Sequence, residues 1–209
     1  MIATRAPLPP FGPSVIHTAL ADGQPVCLRR ITPDDGALMR AGIAQMSPQS
    51  RYLRFFSGMK SPPDWVIERL LDVDGDMHLA WGAIASDHAA GERPRCQGQA
   101  IGAVHAFRDE EDPECAEFSV AVLDAWHHKG VGRLLTATLL LEAQAEGITE
   151  FHVDTLSENR TAIAFAESLG ARPSGGDGLT RSFTLEVEEA LRRLREEGEP
   201  EGLRAVFGV

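Results

Sequence analysis

The sequence predicts an α+β fold: a mixed, mostly antiparallel sheet with a central parallel pair, closed by a βαβ unit and flanked by helices. Three observations carry that expectation. Apolar, strand-like runs at 78–85, 100–107 and 115–123 follow one another through polar connections, the pattern of an antiparallel meander. A helix-spaced run then opens at Gly130 and stops at Gly147, and a further strand-like run follows at 149–155. Strand 115–123, helix 130–146 and strand 149–155 thus form a βαβ unit, whose right-handed crossover makes its two strands parallel.

The elements follow in order. Residues 1–24 begin with a Pro-rich stretch lacking the continuous apolar run of a secretory signal, and they read as an irregular arm. Val26 to Ile31 alternates as a first strand. Thr32-Pro33-Asp34-Asp35 then supplies an N-cap, a Pro at the first helical position and acidic first-turn residues for a helix running to Met46. Ser47-Pro48 interrupts it, and Arg51 to Phe56 continues as a short helical or irregular piece. Asp64 to Leu71 is a second helix, and Ser86 to Gln97 has the composition of a surface loop. Arg108 to Glu114 is a tight acidic connection. After the βαβ unit come an amphipathic helix at 158–169, ended by Gly170, and a last strand at 179–187. The core domain is therefore expected over 25–187, with a helical tail at 188–209. In that tail Glu188 with Arg192 and Glu189 with Arg193 have the spacing of stabilising ion pairs, which suits a solvated helix. An oligomer contact, in the simplest case a homodimer, is the alternative use of the same helix.

Composition narrows the function. The 209 residues are 43% hydrophobic, enough for an ample core, and no apolar run approaches the ~20 residues that span a bilayer, so no membrane partner is expected. A net charge of −11 disfavours non-specific binding to nucleic acid or anionic lipid. Cys27, Cys96 and Cys115 are odd in number and far apart, fitting neither a disulfide framework nor a metal-ligand pattern. A reducing cytoplasm and no metal are the resulting expectations.

The chemistry concentrates at His127-His128-Lys129-Gly130-Val131-Gly132. A strand ending in a glycine-containing turn that feeds a helix makes an anion site, because first-turn N–H groups are unpaired and the helix dipole adds positive potential. Gly130 and Gly132 remove side chains that would hold a phosphate away, and Lys129 and Arg133 add cationic charge at the rim. Glu117-Phe118-Ser119-Val120-Ala121-Val122 followed by Trp126 to Gly132 resembles the GNAT superfamily of acetyltransferases. So does Ser157-Glu158-Asn159-Arg160 followed by Ala162, Phe165 and Leu169-Gly170-Ala171. The resemblance implies acetyl-CoA as cosubstrate. His127 stands where the family has Gln or Arg, and His128 replaces a common glycine. It further implies that the pantetheine arm pairs with backbone at Val120 and Val122, with Asn159 on its other side.

An amine acceptor must lose a proton before attack, since a free lysine with a pKa of ~10.4 is protonated at pH 7. Glu117, a carboxylate in an otherwise apolar strand, is the candidate general base, with partial burial expected to raise its pKa. A backbone N–H near Val120 is the candidate oxyanion donor. Where many family members have a general-acid Tyr, this chain has Ala166, so either water protonates the thiolate or another residue such as Tyr52, the only tyrosine, reaches in. Thr32 to Asp35 and Ser47 to Phe56 resemble the catalytic domain of bacterial Pat-type protein lysine acetyltransferases, which implies a protein lysine as acceptor. A small-molecule amine acetyltransferase and a non-catalytic acyl-CoA sensor stay open beside it.

Overall fold

The computed structural model describes residues 15–57, 61–86, 96 and 98–208. Eight strands form one sheet: β1 (Val15–Ala19), β2 (Pro25–Arg30), β3 (His78–Ala85), β4 (Gln99–Arg108), β5 (Cys115–Val122), β6 (Glu150–Leu156), β7 (Arg172–Gly176) and β8 (Thr180–Glu186). Their order across the sheet is β1-β2-β3-β4-β5-β6-β8-β7, and every neighbouring pair is antiparallel except β5 with β6. The expected α+β architecture and its single parallel pair are both present.

Seven α-helices accompany the described sheet: α1 (Gly36–Gln45), α2 (Pro48–Phe55), α3 (Asp64–Leu71), α4 (Val131–Ala145), α5 (Arg160–Ser168), α6 (Val187–Glu197) and α7 (Leu203–Phe207). A 3-10 turn, Pro33–Asp35, leads into α1. There the Asp35 carboxylate accepts from the Thr32 N–H at 2.8 Å and pairs with Arg29 at 2.5 Å, so the helix entry is tied to β2. None of the described helices is long and apolar enough to cross a membrane.

Helix α4 crosses one face of the sheet, with Leu134, Leu135, Leu139 and Leu140 all fully buried beside Trp81, Ile101 and Phe151. The buried carboxylate of Glu142 is satisfied in that core: Arg30 donates to it at 2.7 Å and the Trp81 indole N–H donates to its other oxygen. Without those donors a buried charge would cost several kcal/mol.

Several expectations need correction. Ser47-Pro48 starts a helix instead of only interrupting one, since Ser47 Oγ accepts from the Ser50 N–H at 3.1 Å and Pro48 takes the first helical position. Residues 15–19 of the expected irregular arm form β1, paired along its length with β2, while residues 1–14 lie outside the described set. Most of the expected 86–97 loop, residues 87–95 and 97, also lies outside it.

The tail is a helix, but not a solvated one. Val187, Ala190, Leu191 and Leu194 are buried in the common core against α4, and Leu203 of α7 is buried with them. Its outer face carries the ion pairs, with Arg193 on Glu189 as expected and Arg192 on Glu189 and Glu196 instead of Glu188. Finally, Cys27 and Cys96 are joined as a disulfide, their Cα atoms 5.8 Å apart. A separation of 69 residues hides that pairing until the sheet places β2 one strand away from the start of β4, across β3.

Candidate active site

The parallel ladder between β5 and β6 is short. It pairs Cys115, Ala116 and Glu117 with Glu150, Phe151 and His152, and then the strands part. From Phe118 onward β5 is paired only with β4, and from Val153 onward β6 is paired only with β8. The Leu123 N–H donates to the Ile101 carbonyl of β4 at 2.9 Å. Because backbone polar groups alternate sides along a strand, those of Val120 and Val122 point away from β4, into the opening.

The loop after β5 closes one end of that opening. His128 and Gly130 both sit at positive φ, 60° and 89°, so the chain turns sharply before α4 begins at Val131. None of the N–H groups from Lys129 to Arg133 has a backbone acceptor among the described residues. Such a row of free donors at a helix start fits a pyrophosphate.

The two glycines of the loop differ. A Cβ on Gly132 would sit 3.8 Å from the Phe165 ring and 3.9 Å from Val122, ordinary van der Waals contact without a clash. On Gly130 it would strike Pro200 at 2.5 Å. The chain that follows α6 therefore packs directly on the loop, and Gly130 is needed for that contact as well as for its turn.

The basic side chains expected at the rim are both engaged: Lys129 pairs with Asp22 at 2.9 Å and lies over the Trp126 ring, and Arg133 pairs with Glu197. His127 is exposed, and its Nε2–H donates to the Val122 carbonyl at 2.9 Å. It thereby bridges the loop to the open edge of β5. Asn159 is the N-cap of α5, its Oδ1 accepting from the Ala162 N–H at 3.1 Å.

Glu117 is exposed, so the expected partial burial is not met; it stands at the last rung before β5 and β6 part, opposite His152. Side chains alternate along β5, which puts Ser119 and Ala121 on the same face as Glu117. Helix α2 reaches that face through Arg54, whose guanidinium donates to Ser119 Oγ at 2.9 Å. Burial lowers the Arg54 pKa from its ordinary value, and the nearby Glu117 opposes that shift. The N-terminus of α2 is tied to the turn after β5 by Asp124, which accepts from the Ser47 N–H and from the Ser47 and Ser50 hydroxyls at 2.7–3.0 Å. Although burial opposes it, those bonds hold the Asp124 carboxyl down at about 2.

Between α1, α2 and the sheet lies a cavity of about 90 Å³. Its walls are apolar, with Leu38, Met39, Ile43 and Phe55 from the helices, and its polar groups include Arg54 and His105. Sequence reading missed both: Arg54 lies in a short segment of ambiguous periodicity, and His105 sits at an inward position of a strand that alternates like any other. Tyr52 is exposed on α2, and Ala166 is buried in α5.

On the face of Glu117, Cys115, Glu150 and His152 bring their donor atoms within 4.8 Å of one another, a mixed set of the types zinc accepts. Cys115 and Glu150 are 35 positions apart in sequence, so no spacing rule could have found them. Burial and the Asp112 carboxylate raise the Cys115 thiol to about 11.

Comparisons with known proteins agree with this architecture. The solved GNAT domain of S. lividans PAT superposes with a TM-score of 0.72 over 82% of this chain and 96% of that one, at 22% identity. The cAMP-binding acyltransferase from Mycobacterium smegmatis superposes with a TM-score of 0.57 over 92% of this chain and 56% of that one, at 19% identity. In sequence, Acetyltransferase Pat of Mycolicibacterium smegmatis is 26% identical over 156 residues, 75% of this chain and 44% of the relative. Acetyltransferase PA5475 of Pseudomonas aeruginosa is 26% identical over 152 residues, 73% of this chain and 77% of the relative. This chain thus spans less than half the length of the first of those relatives. The profile of the Acetyltransferase (GNAT) family matches residues 61–171, more than half of the sequence. The chain belongs to the GNAT family of acetyltransferases, which transfer an acyl group from coenzyme A.

Proposed function

We propose that the chain moves the acetyl group of acetyl-CoA directly to a primary amine, the side chain of a protein lysine, with Glu117 accepting the amine proton. The observation that carries this reading is the position of Glu117. It is an exposed carboxylate at the rung where β5 leaves β6, beside the open backbone of Val120 and Val122. A lysine presented by another macromolecule can reach an exposed base, which a closed site would deny it.

In this reading the pyrophosphate takes the free N–H groups of the 127–132 loop and of Arg133, and the pantetheine runs along Val120 and Val122 toward Asn159. Because the Val122 carbonyl already accepts from His127, the arm pairs with the remaining groups of that edge. The Val120 N–H meets the developing oxyanion. Glu117 takes the ammonium proton, directly or through a water, and the leaving thiolate is protonated by solvent.

The reading also puts the chain in the cytoplasm, where acetyl-CoA and acceptor proteins meet. The Cys27–Cys96 disulfide is the observation that pulls the other way.

The cavity under α1 and α2 favours a second reading, a small amine with an apolar body. One experiment separates the two: acetyl-CoA consumption with a panel of lysine peptides and small amines, on the wild type and on Glu117→Gln. Turnover of peptides, lost in the variant while acetyl-CoA binding stays, supports the proposal. Turnover of small amines alone moves the acceptor to the second reading, and an unimpaired variant removes Glu117 from the chemistry.

A further inference from the structure

Two buried histidines stand behind the cavity. His105, on β4, is 3% exposed and lines it, while His78, 4% exposed, lies beside it on the same face of the neighbouring strand β3. His78 Nδ1 is 2.8 Å from the Asp72 carbonyl oxygen, which can only accept, so Nδ1 carries the hydrogen. A neutral His78 then has a bare Nε2. That atom lies 3.0 Å from His105 Nδ1, which must be the donor. The chain of bonds therefore fixes the His105 tautomer, with the proton on Nδ1 and a lone pair on Nε2. No described residue makes a hydrogen bond to that Nε2.

The surroundings keep the pair neutral. Burial lowers both imidazoles, His105 well below its ordinary value, and Arg54 and His78 add to the effect on His105. Other charged groups face the pair from neighbouring elements. Arg69 of α3 lies over Phe107, and Glu117 is on β5. The Arg29–Asp35 pair lines the cavity, and Asp72 and Asp74 stand beside His78. Across the β4–β5 ladder His105 is opposite Ser119, the residue that accepts from Arg54. No carboxylate lies within 4 Å of that guanidinium among the described residues.

We propose that His105 Nε2 is the hydrogen-bond acceptor for the incoming amine, so that the cavity takes a neutral primary amine on an unbranched apolar stem. This rests on the amine-acetyltransferase reading and adds to it a residue and a protonation state. Apolar walls hold the stem, and the bare nitrogen takes one N–H and turns the amine lone pair toward the thioester. The Arg54 cation repels the ammonium form. Glu117 removes the first proton outside the cavity, and the second, released once the C–N bond forms and the C–S bond breaks, passes through solvent to the departing thiolate, so His105 keeps neither.

The test uses three variants, with kcat and KM for n-butylamine and a lysine peptide measured from pH 6 to 9 beside the acetyl-CoA Kd. His105→Phe should lower kcat/KM for the amine by about tenfold to a hundredfold, the range of an N–H left without its acceptor, with the acetyl-CoA Kd within twofold. His105→Gln, which keeps an acceptor near the same place, should recover most of that loss. His78→Phe leaves His105 in place but frees its tautomer, so the loss should be intermediate and, because the two neutral tautomers exchange without taking up a proton, equal at every pH from 6 to 9.

A folded His105→Phe enzyme with kcat/KM within twofold of wild type overturns the proposal. If that variant does not fold, a His78→Phe enzyme with kcat/KM for the amine within twofold of wild type overturns it equally. Should the wild type turn over no amine at all, the acetyltransferase reading fails separately. The proposal is then decided by nitrogen NMR of histidine-labelled protein, where butylamine at pH 9 must shift the His105 Nε2 resonance, and no shift overturns it.

Discussion

The two ends of the open edge of β5 are built differently. At the α4 end the candidate cofactor site consists of backbone: free N–H groups, two residues at positive φ and an exposed strand edge. At the other end the candidate acceptor site consists of side chains: Glu117, Ser119 held by Arg54, and His105 held by His78. A backbone site tolerates changes of residue type, and His127 and His128 in the loop are compatible with one. A site of side chains does not, and single substitutions there should act on rate.

The largest expected effect follows from that contrast. Glu117→Gln keeps the shape and removes the base, so kcat should fall by about 10²–10⁴-fold while the acetyl-CoA Kd stays within twofold. Stopped-flow turnover beside calorimetric binding checks both halves. A loss of binding equal to the loss of rate would break the division between the two ends.

The two glycines sharpen the comparison. Gly132→Ala has room inside the protein, so denaturant stability should hold or rise by up to ~1 kcal/mol, as expected when a helical glycine becomes alanine. If the pyrophosphate closes on the backbone at Gly132, the same methyl should weaken acetyl-CoA by about tenfold, or ~1.4 kcal/mol. Gly130→Ala should instead lose about 1–3 kcal/mol of stability, because its φ is 89° and its Cβ would meet Pro200. Identical behaviour of the two variants would show that the loop is not specialised in this way.

How much of this was legible in the sequence depends on the range of the interactions. Helix 64–71 and strand 78–85 are found at the predicted residues, because period and local punctuation decide them. The βαβ unit followed from the same local signals. Strand β7 was missed since Arg172-Pro173-Ser174-Gly175-Gly176 is an exposed edge with no alternation to read. The buried face of α6 was legible in Val187, Ala190, Leu191 and Leu194, but the density of charge on its other face dominated the reading. In the site, the loop and Glu117 stood out because motif and charge are local. Arg54, the His78–His105 pair and the Cys115, Glu150 and His152 donors exist only once separate strands and helices are neighbours. The same holds for the ion pairs that occupy Lys129 and Arg133.

Those pairs give a smaller prediction. Glu197 holds Arg133 at the rim of the loop, so Glu197→Gln should release a cation toward the pyrophosphate and tighten acetyl-CoA by about twofold to fivefold. The gain should vanish at high salt, as screening requires. An unchanged Kd at low salt would mean that Arg133 takes no part at the cofactor end.

The smallest effect concerns how α2, which carries Arg54, is fastened. Asp124 holds Ser47 and Ser50, and its carboxyl is kept at about 2. A depressed carboxyl contributes stability that is present above the unfolded-state pKa of about 3.9 and is lost as pH falls toward the folded value. The stability difference between wild type and Asp124→Asn should therefore be constant from neutral pH to about 4 and shrink between 4 and about 2. Chemical denaturation at a series of pH values reads that difference directly. A difference that instead grows on acidification would mean that the three hydrogen bonds survive protonation, and that α2 is held at the acceptor end by packing rather than by this carboxylate.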